Sequence, residues 1–334
     1  MIRFIKICFL LCVLGINFKA SAQVDPHFSQ YYVYPSWLNP ALTGAFDGSY
    51  RLAAIYRSQW GSIVSPFSTP GVAADFNTGK GMNFGGSILN QKAGDGGYNY
   101  MTAYASAAFT GVRFGTNGDH HLLFGMQAGF INRRFDRNKL TFGDQWNPIT
   151  GFNPGNQSRD LPIKPTATSF DAGAGVMYYD GRANRKTNFY AGFSASHLTR
   201  PTDLFSANGT DKLPIRYTLH AGIKIDAGNG FSITPNALYL RQGNATETML
   251  GAYGQLRAAS DLDLLFGANV RFDDAISPYF GFNYKNFTLG VSYDVNTSDL
   301  GKVVNGANSF EISLTLIGKK KVNMPEENFF CPRL

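Results

Sequence analysis

Residues 287–295 read Phe-Thr-Leu-Gly-Val-Ser-Tyr-Asp-Val. Side chains of an extended strand point alternately to opposite faces. Phe287, Leu289, Val291, Tyr293 and Val295 therefore share an apolar face, and Thr288, Gly290, Ser292 and Asp294 share a small or polar one. The same alternation sets Leu122, Phe124, Met126, Ala128 and Phe130 against Gly125, Gln127 and Gly129. It also sets Phe310, Ile312, Leu314 and Leu316 against Glu311, Ser313 and Thr315. The pattern predicts strands over 50–57, 71–77, 82–90, 100–113, 121–131, 168–180, 187–196, 215–226, 231–241, 245–257, 262–272, 276–285, 287–296 and 309–317. Most are near the nine to eleven residues that cross a bilayer at a tilt. About fourteen strands is an even number, as in single-chain bacterial barrels. A soluble sheet can hide one apolar face on a core, but lipid outside and a polar lumen inside accommodate all of these faces at once. The predicted fold is all-β: a transmembrane outer-membrane antiparallel β-barrel.

The connections sort by length. If the first strand starts in the periplasm, alternate connections fall at 58–70, 91–99, 132–167, 197–214, 242–244, 273–275 and 297–308. Every long connection lies in that set, and the others are short turns such as Thr116-Asn117-Gly118-Asp119 and Ala227-Gly228-Asn229-Gly230. Outer-membrane barrels have short periplasmic turns and longer outer loops. The expectation is an outer-membrane location with loops 58–70, 132–167, 197–214 and 297–308 extracellular and both termini periplasmic.

Composition supports this reading. Charged residues are only 16% of the 334, aromatics reach 14%, and there are 37 glycines. Mean hydropathy is slightly negative. Arg3 and Lys6 precede an apolar run over 7–16, and Ala20-Ser21-Ala22 is a cleavage-type site, so residues 1–22 read as a cleaved secretory signal. No later run of 18 apolar residues suggests a membrane helix. Removing Arg3, Lys6 and Lys19 lowers the formal charge from +7 to about +4, too little to argue for nucleic acid. Cys331 is then the one cysteine left, which excludes an internal disulfide. Residues 23–49 are broken by Asp25-Pro26, Tyr34-Pro35 and Asn39-Pro40 and are rich in aromatics. They read as a packed periplasmic or plug-like segment, followed by a barrel over 50–317 and a periplasmic tail over 318–334 with a basic run at 319–321.

No catalytic set stands out, and no cofactor or metal is expected. His27, His120, His121, His197 and His220 lack a metal-ligand spacing, and no Gly-x-Ser-x-Gly elbow occurs. The His120-His121 pair at a turn and His220 on a polar strand face read as solvated. Asp171, Asp263, Asp294, Glu247 and Glu311 face inward and read as the lining of a wet lumen. Gly173, Gly175, Gly222, Gly251, Gly267, Gly281 and Gly290 face inward too. They fit either strand curvature or close approach of another segment, which a plug formed by residues 23–49 would supply.

Several stretches carry a family likeness. They are Gln23-Val24-Asp25-Pro26-His27-Phe28-Ser29-Gln30-Tyr31, Asn39-Pro40-Ala41-Leu42-Thr43-Gly44, Tyr56-Arg57-Ser58-Gln59-Trp60 and the terminal Cys331-Pro332-Arg333-Leu334. Taken in order, they resemble the PorP/SprF family of the type IX secretion and gliding machinery. Val24 and the final Leu334 are small departures. The resemblance implies a non-catalytic barrel supporting export or surface anchoring of a particular adhesin-like cargo with a type B C-terminal domain. It also implies contact with periplasmic or outer-membrane type IX components. Its motif residues here are Asp25, Pro26, Phe28, Gln30, Tyr31, Asn39 and Pro40, with Cys331, Pro332 and Arg333 in the tail. Candidate partner contacts are Arg57, Gln59 and Trp60 at the first outer loop, where Trp60 also suits a headgroup belt. Phe142, Trp146 and Phe152 in the largest loop are further candidates. A diffusion channel or hydrophobic-solute transporter of similar architecture is the alternative.

Overall fold

A computed structural model describes residues 25–61, 66–94, 97–136, 139–156, 158–159, 165–182, 185–202, 212–298 and 308–318. The expected signal over 1–22, the basic run at 319–321 and the terminal Cys331, Pro332 and Arg333 lie outside them.

The strands run in chain order: β1 (Tyr50–Gln59), β2 (Phe67–Phe76), β3 (Met82–Ala93), β4 (Tyr98–Phe114), β5 (His120–Arg134), then a two-stranded ribbon of β6 (Trp146–Asn147) and β7 (Gly151–Phe152). They continue with β8 (Thr166–Asp180), β9 (Thr187–Ser196), β10 (Arg216–Gly228), β11 (Phe231–Gln242), β12 (Ala245–Ala259), β13 (Leu262–Arg271), β14 (Ala275–Tyr284), β15 (Phe287–Asn296) and β16 (Ser309–Gly318). All but the ribbon form one closed antiparallel barrel of fourteen strands, each paired with its sequence neighbour. β5 pairs with β8 across the ribbon loop, and β1 closes the ring on β16.

The expected strands all form. Most extend further at one end or both than hydrophobic alternation alone indicated, because ladder pairing continues into polar residues. Phe67↔Gln59 and Ser68↔Ser58 pair in the β1–β2 ladder, so the first outer connection shrinks from 58–70 to 60–66.

The barrel is polar inside and apolar outside. Leu52, Tyr56, Phe124, Met126, Phe130, Phe310 and Leu314 are exposed on the outer wall, where a bilayer would cover them. Their neighbours Ile55, Arg57, Leu123, Gln127, Glu311 and Ser313 point inward and are buried. What buries them is the chain's own N-terminal segment. Phe28, Tyr31, Tyr34, Trp37, Leu38, Ala41 and Leu42 form one apolar cluster with Ile55, Leu89, Leu123, Ile131, Met177, Leu238 and Met249 of the wall. Proline sets the segment's two helical turns. Pro35 opens α1 (Pro35–Leu38), and Pro40 opens a 3-10 turn, Pro40–Leu42, whose N-cap Asn39 accepts from the Ala41 N–H.

Long connections gather at one end of the barrel and short turns at the other. Asp25 meets Tyr100, His197 and Arg216 at the long-loop end, whereas Tyr50 starts β1 at the short-turn end, beside Gly318. The segment therefore spans the height of the lumen. Long loops outside and a periplasmic chain at residue 25 cannot both hold. The reason is that the segment runs the height of the lumen before β1 begins.

Candidate functional site: the occupied lumen

Two polar anchors hold the segment near the long-loop end, and a shape-based cradle holds it lower down. In the first anchor, Arg57 of β1 pairs with Glu311 directly opposite on β16. Arg57 also pairs with Asp294 of β15 at 2.8 Å, and Arg271 of β13 reaches the same carboxylate at 2.8 Å. The segment plugs into this network through its backbone. The N–H groups of Ser29 and Gln30 donate to the two oxygens of Glu311 at 2.7 and 2.9 Å. Ser29 Oγ donates to Asp294 at 2.7 Å, and Asn269 Nδ2 donates to the Ser29 carbonyl at 3.0 Å. Ser313 Oγ donates to the Gln30 side chain at 2.6 Å. Arg57 is 1% and Glu311 0% exposed, so these charges are sustained by one another.

His27 lies above this network, within 3.2 Å of Arg57 and 3.4 Å of Gln59. Burial, and then the Arg271 and Arg57 guanidiniums, hold its pKa well below the ordinary histidine value. It is neutral and accepts from a guanidinium.

The second anchor is the opposite case. His197, the first residue after β9, places Nε2 2.7 Å from Asp25 and Nδ1 2.8 Å from Asp171. Burial disfavours its charge, but the Asp25 and Asp171 carboxylates outweigh burial and push its pKa up to about 9. A ring with a carboxylate at each nitrogen is an imidazolium that donates from both. Burial likewise works against the Asp25 carboxylate, yet His197 and Arg216 hold it well below the usual range. Arg216 donates to Asp25 at 3.1 Å and to the Trp37 carbonyl at 2.7 Å, with its guanidinium 4.6 Å from the Trp37 ring centre. Tyr100 OH donates to Asp25 at 3.0 Å.

The cradle works by shape. A Cβ on Gly125 would lie 2.3 Å from the Pro40–Ala41 backbone, and one on Gly175 would lie 2.1 Å from Asn39 Oδ1. Glycine is required wherever the segment touches the wall this closely. Asn39 donates to the Val176 carbonyl at 3.0 Å, Ser194 Oγ donates to the Leu38 carbonyl at 2.8 Å, and the Gly44 N–H donates to Asp75 at 2.7 Å.

Several sequence readings change. Asp171, Asp294, Glu247 and Glu311 do not line a wet lumen: they are buried, because the segment excludes water from their level. Asp263, partly exposed at the short-turn end, bonds Gln255 at 2.8 Å. His220 is not solvated either, being buried within 3.3 Å of Asn39. His120 and His121 stack on Tyr178 and Tyr179. Among the singled-out glycines, Gly175 and Gly290 approach the segment, while Gly222 faces Tyr190 of the neighbouring strand.

The motif residues Asp25, Pro26, Phe28, Gln30, Tyr31, Asn39 and Pro40 all lie in the segment. Phe28, Gln30, Asn39 and Pro40 are buried, and Tyr31 OH donates to Asn236 at 2.8 Å. Arg57 and Gln59 face the lumen and are buried, so neither is presented on the outer surface. Trp60 turns at φ 57°, and its ring packs edge-on against Phe67. Phe142 precedes a short 3-10 turn, Gly143–Gln145, that leads into the ribbon. There Trp146 and Phe152 face each other at 5.6 Å, while Ile149 at the tip is 92% exposed. The contributions of His197, Arg216 and Tyr100 were not apparent from sequence, because their pairing with Asp25 spans as many as 191 positions.

Residues 20–316 match the family model described as "Type IX secretion system membrane protein PorP/SprF". No curated protein matches the sequence. In structure the chain resembles the toluene transporter TbuX of Ralstonia pickettii, with 12% identity, a TM-score of 0.50, and 83% of this chain and 90% of that chain covered. It also resembles CymD, a monoaromatic hydrocarbon channel, with 11% identity, a TM-score of 0.50, and 88% and 94% covered. At such identities the likeness shows the barrel fold alone.

Proposed function

Because the chain belongs to the PorP/SprF family of type IX secretion system membrane proteins, we propose that it is a non-catalytic outer-membrane barrel serving export or surface anchoring of one specific adhesin-like cargo. It does so by protein–protein contact. The observation that carries this reading is the filled lumen: residues 28–42 pack against inward residues from around the wall, including Ile55, Leu123, Leu265 and Glu311, all of them buried. A barrel whose bore is occupied by its own chain works through its rims and loops. The ribbon of the 135–165 connection, with exposed Trp146 and Ile149, is the contact surface assigned to the cargo's type B C-terminal domain. The long loops face outward in this reading, and the segment acts as a plug.

The test compares the secreted and surface proteins of wild type with those of a strain lacking this chain. Loss of one or a few large cargoes, with other exports intact, is the expected result. An unchanged set overturns the reading and leaves the hydrophobic-solute channel, whose signature would be uptake or conductance by the purified barrel.

A further inference from the structure

We infer that Tyr100, His197 and Arg216 form a carboxylate receptor of the barrel wall, occupied in cis by Asp25, which accepts the carboxylate of an extended peptide from a partner at the long-loop end. The three donors come from β4, the β9–β10 connection and β10, and converge on one carboxylate at 3.0, 2.7 and 3.1 Å. All three belong to the wall, whereas Asp25 belongs to the inserted segment. With Asp25 withdrawn, His197 would keep Asp171, but Arg216 would keep only the Trp37 carbonyl and Ser196 Oγ and no carboxylate, a buried positive charge of the kind proteins do not leave unpaired. The wall at this point therefore requires an anion, whichever chain supplies it.

The surroundings suit a peptide better than a free ion. Two small spaces of about 30 Å³ each flank Asp25-Pro26, and Trp37 and Arg216 border both, so the room for a backbone is what Asp25-Pro26 itself fills. Trp37 Nε1 and Gln127 Oε1 at the first space and Gln242 Nε2 at the second are buried and bond no protein group among the described residues. They offer two donors and an acceptor, matching the C=O and N–H groups of a passing backbone. At the other anchor the Ser29 and Gln30 amides occupy both oxygens of Glu311, which leaves no comparable room. The inference stands on the wall's chemistry and is independent of the export reading.

The test uses the purified full chain in detergent, with an acetylated, amidated and fluorescently labelled Asp-Pro-His-Phe peptide and its Asn-Pro-His-Phe counterpart as probes. Asp25→Ala should bind the Asp peptide at least tenfold more tightly than the Asn peptide, and adding Arg216→Ala should abolish the preference. Wild type, with its receptor occupied, should show no preference. Equal binding of the two peptides, or no binding by a folded variant, overturns the proposal. Competition by sodium acetate or inorganic phosphate at concentrations matching the peptide's own Kd also overturns it, because the site would then take free anions. Should Asp25→Ala fail to fold, refolding with the Asp peptide against the Asn peptide reads the same receptor. Recovery with the Asp peptide alone supports it, and failure with both, or equal recovery with both, overturns it.

Discussion

The upper and lower parts of the inserted segment are held by different physics. Above, residues 25–30 are held by ion pairs and charge-assisted hydrogen bonds to Glu311, Asp294, His197 and Arg216. Below, residues 39–44 are held mainly by fit, with backbone pressed onto Gly125 and a side chain onto Gly175, while the Gly44 N–H also donates to the charged Asp75. Charge responds to pH and can be satisfied by another chain's groups. Fit responds to volume and cannot be substituted in that way. One segment thus combines an exchangeable end with a fixed one.

Removing one member of the buried network separates the two ends most sharply. Arg57→Ala leaves Glu311 and Asp294 without their shared cation, and breaking a buried pair in this way costs about 3–5 kcal/mol. Heat-modifiable gel mobility should show a markedly less stable barrel. Protease should cut first within residues 25–30, with 39–44 still protected. Simultaneous loss of protection at both ends would show that the division is false.

Gly125→Ala probes the other end. Its new methyl meets Pro40 and Ala41 backbone, and such overpacking costs about 1–3 kcal/mol. Hydrogen exchange should quicken at residues 39–44 while the Ser29 and Gln30 amides stay protected.

Between about pH 7 and 10 a change of pH acts on the upper end, where His197 sits. His197 titrates at about 9 in the fold against 6.5 when free, so its stabilisation is complete below about pH 6.5 and is lost as pH rises through 9. Asp25 moves downward from 3.8. Its contribution is present above that value and is lost only in strong acid. Protection of the amides of residues 25, 27 and 28, taken relative to their intrinsic exchange rates, should therefore fall between about pH 7 and 10, and His197→Gln should flatten that profile. An unchanged profile in the variant would assign the effect elsewhere.

The smallest effect on stability is expected outside the barrel. Trp146→Ala removes an exposed side chain and should shift stability by less than about 0.5 kcal/mol. Quantifying cargo at the cell surface should still show a loss if the ribbon is the contact.

Where the chemistry repeats every two residues, the fold was legible in the sequence. Each of the fourteen barrel strands could be read from alternation, and loop lengths separated the two ends. The segment had no such period. Its prolines indicated irregular structure and its aromatics indicated packing, but nothing local said against which strands. The same gap misplaced Asp171, Asp294 and Glu311: alternation gives a face, not what covers it. Arg57 was read as a rim residue because strand β1 runs two residues beyond its apolar pattern, to Gln59. Gly125 was assigned to the inward face, but only the register reveals that it meets Pro40.

Arg57 and Glu311 sit opposite each other on the two strands that close the ring, and Glu311 also grips the Ser29 and Gln30 amides. The seam that joins the first strand to the last is therefore the one whose charges need the insert in place. Without the segment, Glu311 would keep Arg57 but lose its two amide donors. The first strand carries half of the lock, the last strand the other half, and the insert sits between them as its key.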